Sequence, residues 1–209
     1  MTDDQIQSVK DDIAFMRALA AEGQKTPMLG GAIMVVAGLI FGLASIGHWA
    51  LVVGILRLDP AWGTAAVWLP AMLIFAIALV VVIRRTERKP GARSPTNTAT
   101  GAAWMGVGIA IFVMALSYAA AAWQLRSEAV LATFPSVIFA LYGAGWAVAS
   151  AMTGKRWLWF VAIGSWAMAP LLGWLSGQSW MFLVYGAALL LLMSLPGLVL
   201  MRAEPSETV

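Results

Sequence analysis

The chain contains no cysteine, one histidine and very little charge. Without cysteine there is no disulfide staple, thiolate metal site, iron–sulfur cluster or cysteine nucleophile. A single histidine, His48, excludes a multi-histidine zinc or haem centre within the chain. Asp, Glu, Lys and Arg make up only 11% of the 209 residues, against 61% hydrophobic. Soluble domains carry about 25% charged residues, and so few charges could not cover a water-exposed globule. The composition therefore points to an all-α integral membrane protein.

The charge is scarcest where function would most need it. Long uncharged runs occur at about 28–51, 62–83, 101–123, 131–153, 157–175 and 180–201, and none holds an Asp, Glu, Lys or Arg. Each is close to the roughly 20 residues of helix that cross a bilayer core about 30 Å thick. Ion-coupled carriers, pumps and voltage sensors show themselves by ionisable residues at that depth. No carboxylate pair, nucleophile–base set or phosphate-binding loop accompanies the spans. No catalysis, cofactor or metal is expected. The net charge of +3 resides in membrane-flanking segments, which points to lipid headgroups rather than nucleic acid.

The spans separate charged gaps that alternate between rich and poor in Lys and Arg. Lys10, Arg17 and Lys25 precede the first span, and Arg84, Arg85, Arg88, Lys89 and Arg93 follow the second. Lys155 and Arg156 follow the fourth, and Arg202 follows the sixth. The opposite side carries only Arg57 and Arg126. Because positive loops stay in the cytoplasm, this alternation predicts six spans with both termini cytoplasmic, in a bacterial inner membrane. Ser176-Gly177-Gln178-Ser179 supplies the turn that divides the last long apolar stretch into two spans.

Residues 1–27 lie before the membrane domain, which occupies 28–202, and 203–209 form a tail. Thr2-Asp3-Asp4-Gln5 has the form of a helix capping box. Ile6, Val9, Ile13 and Met16 then follow the spacing of a single apolar stripe. The segment reads as a cytoplasmic amphipathic helix, lying at the headgroups or docking a partner. Its acidic residues disfavour simple adsorption to anionic lipid. Residues 84–99 carry Pro, Gly and hydroxyl side chains and read as a mobile loop.

Three segments can be superposed. Gly31-Ala32 and Gly38 recur as Gly101-Ala102 and Gly108, and Leu56-Arg57-Leu58-Asp59 resembles Leu125-Arg126-Ser127-Glu128. The stretch around Tyr142 likewise resembles that around Tyr185. The simplest account is three tandem helical hairpins in the same orientation. Gly38 and Gly42, and Ala102 and Gly106, have the small-xxx-small spacing of close helix packing. Pro170 and Pro196 are the prolines expected to kink a span.

The candidate ligand residues are His48, Arg57, Asp59, Tyr118, Arg126, Glu128, Tyr142 and Tyr185. The charged four read either as turns tying hairpins together or as a polar mouth roofed by tryptophans. His48 reads as an interfacial histidine or a pH-sensitive contact, level with Tyr118 if the repeat holds. Two functions remain open. One is an accessory or regulatory subunit, with a protein partner or a second copy of itself, acting through contacts. The other is a facilitator of a small neutral or lipophilic molecule. Convergence of Ser45, Ser117, Tyr118, Ser136, Tyr142, Ser165 and Tyr185 on one lumen would favour the second.

Overall fold

A computed structural model describes residues 3–24, 28–59, 62–127 and 129–204, and in the first helix the side chains of 5–15. Helix α1 (Asp3–Gln24) precedes six helices long and apolar enough to cross a membrane. These are α2 (Gly31–Val52), α3 (Gly63–Thr86) and α4 (Pro95–Leu125), then a fourth span, a fifth and a sixth. The fourth joins α5 (Ala129–Ala132) to α6 (Phe134–Thr153), broken at Thr133 two residues before Pro135. The fifth is α7 (Trp157–Trp174). The sixth runs from α8 (Met181–Leu189) through a π-helical turn (Leu190–Ser194) into α9 (Leu195–Arg202). Among the described residues there is no strand. The chain is an all-α membrane bundle preceded by α1, which touches α4.

Turn chemistry explains most boundaries. Gly54, Gly91, Gly154 and Gly177 take left-handed backbone conformations between helices, where a side chain would crowd the following carbonyl. Gly177 lies in the predicted turn between the fifth and sixth spans. One boundary differs from expectation. Residues 95–99 are helical rather than loop, because the Ser94 hydroxyl accepts the Asn97 N–H at 3.2 Å and Pro95 occupies the first helical position. Ser-Pro-Thr-Asn is thus a helix start. With 31 residues α4 is roughly 46 Å long at 1.5 Å per residue, more than a bilayer core requires.

The spans pack as a row. α3 lies on α2, α2 on the sixth span, the sixth on α7, α7 on α6, and α6 on α4. α3 and α4 stand at the ends of this row and present most of their side chains outward. Phe139, Trp146, Leu158, Leu172 and Met181 fill the centre. In lipid, exclusion from water cannot drive such helices together, so closeness of fit decides.

That fit is tightest between the first and sixth spans. A Cβ at Gly31 would stand 2.5 Å from the Met201 nitrogen, and one at Gly38 would stand 2.7 Å from the Ser194 nitrogen. Gly42 and Gly186 face each other farther along, and Gly197 abuts Met34. The two helices therefore touch backbone to backbone from one membrane face towards the other. Two hydrogen bonds cross the seam: Ser45 Oγ donates to the Phe182 carbonyl at 2.6 Å, and Ser194 Oγ to that of Val35 at 3.3 Å. The π-helical turn ends at this Ser194, two residues before Pro196, where a missing N–H already disturbs regular helix bonding. Pro170 is accommodated inside α7 without ending it.

The small residues of α4 behave differently. Ala102 and Gly106 are exposed, and nothing lies within 4 Å of a Cβ built on Gly101, Gly106 or Gly108. The inward face of α4 carries Trp104, Val107 and Ile111 instead. Large side chains that fill the groove against α6 turn the small-residue stripe outward, so Ala102 and Gly106 serve no packing within this chain. The superposed segments thus share Gly31 with Gly101 and Gly38 with Gly108 in sequence but not in environment. Tyr142 and Tyr185, by contrast, are both buried.

Candidate functional site

Among the described residues, the most highly connected polar cluster is at the membrane face that carries most of the Lys and Arg. Gly30 precedes α2 in a left-handed conformation with φ 112°, so the first N–H groups of the span project from its end without a side-chain cap of their own. Glu204, past the end of α9, supplies the missing acceptor. Its Oε1 accepts the N–H of Gly30 at 3.2 Å and of Gly31 at 3.0 Å. Its Oε2 accepts from Lys89 Nζ at 2.6 Å. The Glu204 side chain is only 2% exposed, and a carboxylate that deep requires both the ion pair and the helix-end N–H groups.

Asn97 does the same for the neighbouring loop. Its Oδ1 accepts the Leu29 N–H at 2.9 Å, and its Nδ2 donates to the Gly91 carbonyl at 2.9 Å. One face of the protein thus ties together the start of the first span, the loop between the second and third, and the end of the sixth. The loop is anchored at Lys89 and Gly91. Sequence reading marked none of Lys89, Asn97 or Glu204 as site residues. The available signal was Ser94-Pro95 three residues ahead of Asn97, which reads as a cap.

His48 sits near the other end of α2. Trp68 Nε1–H donates to His48 Nδ1 at 3.0 Å, and the imidazole lies 4.0 Å, centroid to centroid, from the Phe182 ring. This bond assigns the imidazole proton to Nε2 when the ring is neutral. Tyr118 does not join His48; its ring meets that of Phe134 at 5.3 Å, tilted by 49°. Tyr142 and Tyr185 each approach Phe139 edge-on at 5.9 Å, from α6 and α8. His48 and Tyr118 therefore occupy separate contacts, whereas Tyr142 and Tyr185 meet on the same Phe139 ring.

Of the outward charges, Arg57, Asp59 and Arg126 are exposed, while Glu128 lies outside the described residues. The serines also act locally. Ser117 and Ser165 donate to carbonyls one turn earlier in their own helices, at 3.0 Å and 2.9 Å. Ser136 Oγ is buried without a partner, close to Gly173.

An aromatic layer between α4 and α6 also carries polar groups without partners. The Trp104 ring meets Trp146 at 5.0 Å in an edge arrangement and lies 6.0 Å from Tyr142. Gly145 makes this possible, since a Cβ there would approach the Trp104 indole at 3.1 Å. Trp104 Nε1, Trp146 Nε1 and Thr100 Oγ1, one turn before Trp104, are buried with no hydrogen-bond partner. Each such group costs about 1–3 kcal/mol. Trp166 on α7 fares better: its indole lies against Gly143 and donates to the Ala140 carbonyl at 3.2 Å.

On α1, Ile6, Val9 and Ile13 are exposed, as are Asp11 and Asp12. Phe15, absent from the predicted stripe, is the most exposed apolar residue among the described side chains of α1, at 66%. The side chain of Met16 lies outside the described residues.

Among the described residues, no group of three or more His, Asp or Glu side chains is placed to hold a metal ion. Comparison of the chain with protein-family models, with curated sequences and with solved structures found no match.

Proposed function

We propose that this polytopic membrane protein is a non-catalytic accessory or regulatory subunit that acts through protein–protein contacts, with α1 as its docking element. Both termini and the loop carrying Lys89 lie in the cytoplasm of a bacterium, and the six spans lie in its inner membrane. The observation that carries this reading is the uncovered apolar stripe of α1. Ile6, Val9 and Ile13 are exposed on a helix outside the spans, whose own core is filled without it. Exposed apolar residues in register on a helix are the anchors of groove binding. Asp11 and Asp12 beside them favour a protein groove bordered by Lys and Arg.

The test is paired. Deleting residues 2–22 leaves an inserted protein that loses its co-purifying partner, and replacing Ile6 and Ile13 by Asp loses the same partner. A full-length protein that retains no partner in mild detergent, or a partner indifferent to both changes, defeats the reading.

A second reading, passage of a small neutral molecule bearing an acceptor oxygen, has one observation in its favour: the partnerless donors of Thr100, Trp104 and Trp146. Against it, Ser117 and Ser165 bond to carbonyls of their own helices, and Ser45 bonds across the seam to the Phe182 carbonyl. Replacing Trp104 and Trp146 by Phe, then measuring uptake across a panel of small solutes, separates the two.

A further inference from the structure

Among the described residues, every left-handed backbone position but one is glycine, and the exception is Arg126, with φ 49° and ψ 41°. It ends α4 in a standard way. Its N–H reaches the Trp123 carbonyl at 3.4 Å and the Ser127 N–H reaches that of Ala122 at 3.1 Å, the paired bonds of a helix stop whose left-handed residue is usually glycine. Gly54, Gly91, Gly154 and Gly177 meet the same demand at other turns. Arginine here bears a steric cost that glycine would not. The backbone has no use for the side chain, so the reason for arginine must lie in what the guanidinium meets.

Beside it lies a half-open cavity of about 410 Å³ at the membrane face opposite the Glu204 cluster, lined by Ala119, Ala122, Trp123, Arg126, Ser127 and Leu131. Its wall is divided. Ala122 and Ala119, one and two turns down α4 from Arg126, with Leu131 of the following span, make an apolar slot running into the bilayer. Arg126 and Ser127 set a cation and a hydroxyl at the rim. Trp123 is 88% exposed, as befits an indole at the headgroup level. Arg126 makes no ion pair among the described residues. A guanidinium at the rim of an apolar slot complements one kind of molecule: an oxyanion joined to a hydrocarbon chain.

We propose that this cavity is a phospholipid site, in which Arg126 holds the phosphodiester of a lipid from the adjoining leaflet and one acyl chain lies along Ala119, Ala122 and Leu131. Arginine at this left-handed position stands at the rim of the slot, where glycine would leave no cation.

The full-length protein, stripped of lipid in detergent, provides the test through its thermal unfolding midpoint. Three probes are added separately: phosphatidylglycerol, diacylglycerol with the same chains, and soluble glycerol phosphate. Phosphatidylglycerol raises the midpoint by several degrees and saturates, and the other two leave it where it was. Arg126→Gly, which relieves the backbone, has a lipid-free midpoint equal to or above that of the unaltered protein and loses the rise. Arg126→Asn, a residue that tolerates the left-handed region, also loses it. The proposal is overturned if either variant keeps the response to phosphatidylglycerol. It is equally overturned if diacylglycerol matches it, if glycerol phosphate alone reproduces it, or if Arg126→Gly lowers the lipid-free midpoint.

Discussion

Gly31 and Glu204 are 173 residues apart in the chain and joined by one hydrogen bond of 3.0 Å, from the first N–H of the first span to a carboxylate beyond the last. The same carboxylate holds Lys89. The geometry makes the three groups a unit, so removing members should not give additive effects. Glu204→Ala should destabilise the protein in detergent by about 1.5–3 kcal/mol, the usual range for hydrogen bonds to a charged group. Lys89→Met leaves the buried carboxylate with only its two N–H donors and should cost a comparable amount. The double variant should cost little more than Glu204→Ala alone. Thermal or denaturant unfolding of the four proteins measures the coupling, and strict additivity would show that the cluster does not act together.

The seam between the first and sixth spans makes a sharper prediction. Gly38→Ala drives a methyl into the Ser194 backbone, which cannot rotate aside, and should cost about 1–3 kcal/mol as overpacking. Gly106→Ala places the same methyl in open space and should be neutral or slightly stabilising, by up to about 1 kcal/mol from helix propensity. The two midpoints, measured side by side, must differ in sign or size if the glycines of α2 and α4 have the different roles described.

At His48 the prediction concerns a proton. Trp68→Phe retains an aromatic ring but removes the N–H that His48 Nδ1 accepts at 3.0 Å. The loss should cost about 0.5–1.5 kcal/mol. The imidazole nitrogen signals of labelled protein should change from a single Nε2–H tautomer to a mixture. An unchanged spectrum would mean that the indole does not set the tautomer.

Gly143→Ala tests the contact between the fourth and fifth spans. The added methyl would occupy the place of the Trp166 indole and break its bond to the Ala140 carbonyl. A blue or red shift of the Trp emission together with a lowered midpoint is the expected result. Trp166→Leu in the same background should recover part of the lost stability by vacating the space.

How much of this was legible beforehand depends on the physical signal involved. Span number followed from the exclusion of charge from lipid, which acts on every residue of a run and leaves a long, redundant trace. Turn positions such as Gly177 followed from backbone sterics. Helix facing was not legible at Ala102 and Gly106, because small-residue spacing says that a close approach is possible, not which side meets a neighbour. Trp104, on the same helix, decided that. Glu204 was passed over because a carboxylate just beyond the last span resembles a solvated tail. Its meaning depends on α2 starting beside it, a contact across nearly the whole sequence. Arg126 drew notice for its charge, whereas its left-handed backbone, the more informative property, left no mark in the residue order.

The pairing of the first span with the sixth also bears on how the protein is made. A ribosome adding about 5–20 residues per second needs on the order of ten to thirty seconds to go from Gly31 to Glu204. Throughout that interval the glycine face of α2 has no mate, and its leading amides lack their acceptor. The newborn chain must therefore wait in the bilayer with its best adhesive surface open. Any helix presenting a similarly flat face nearby could claim that surface first.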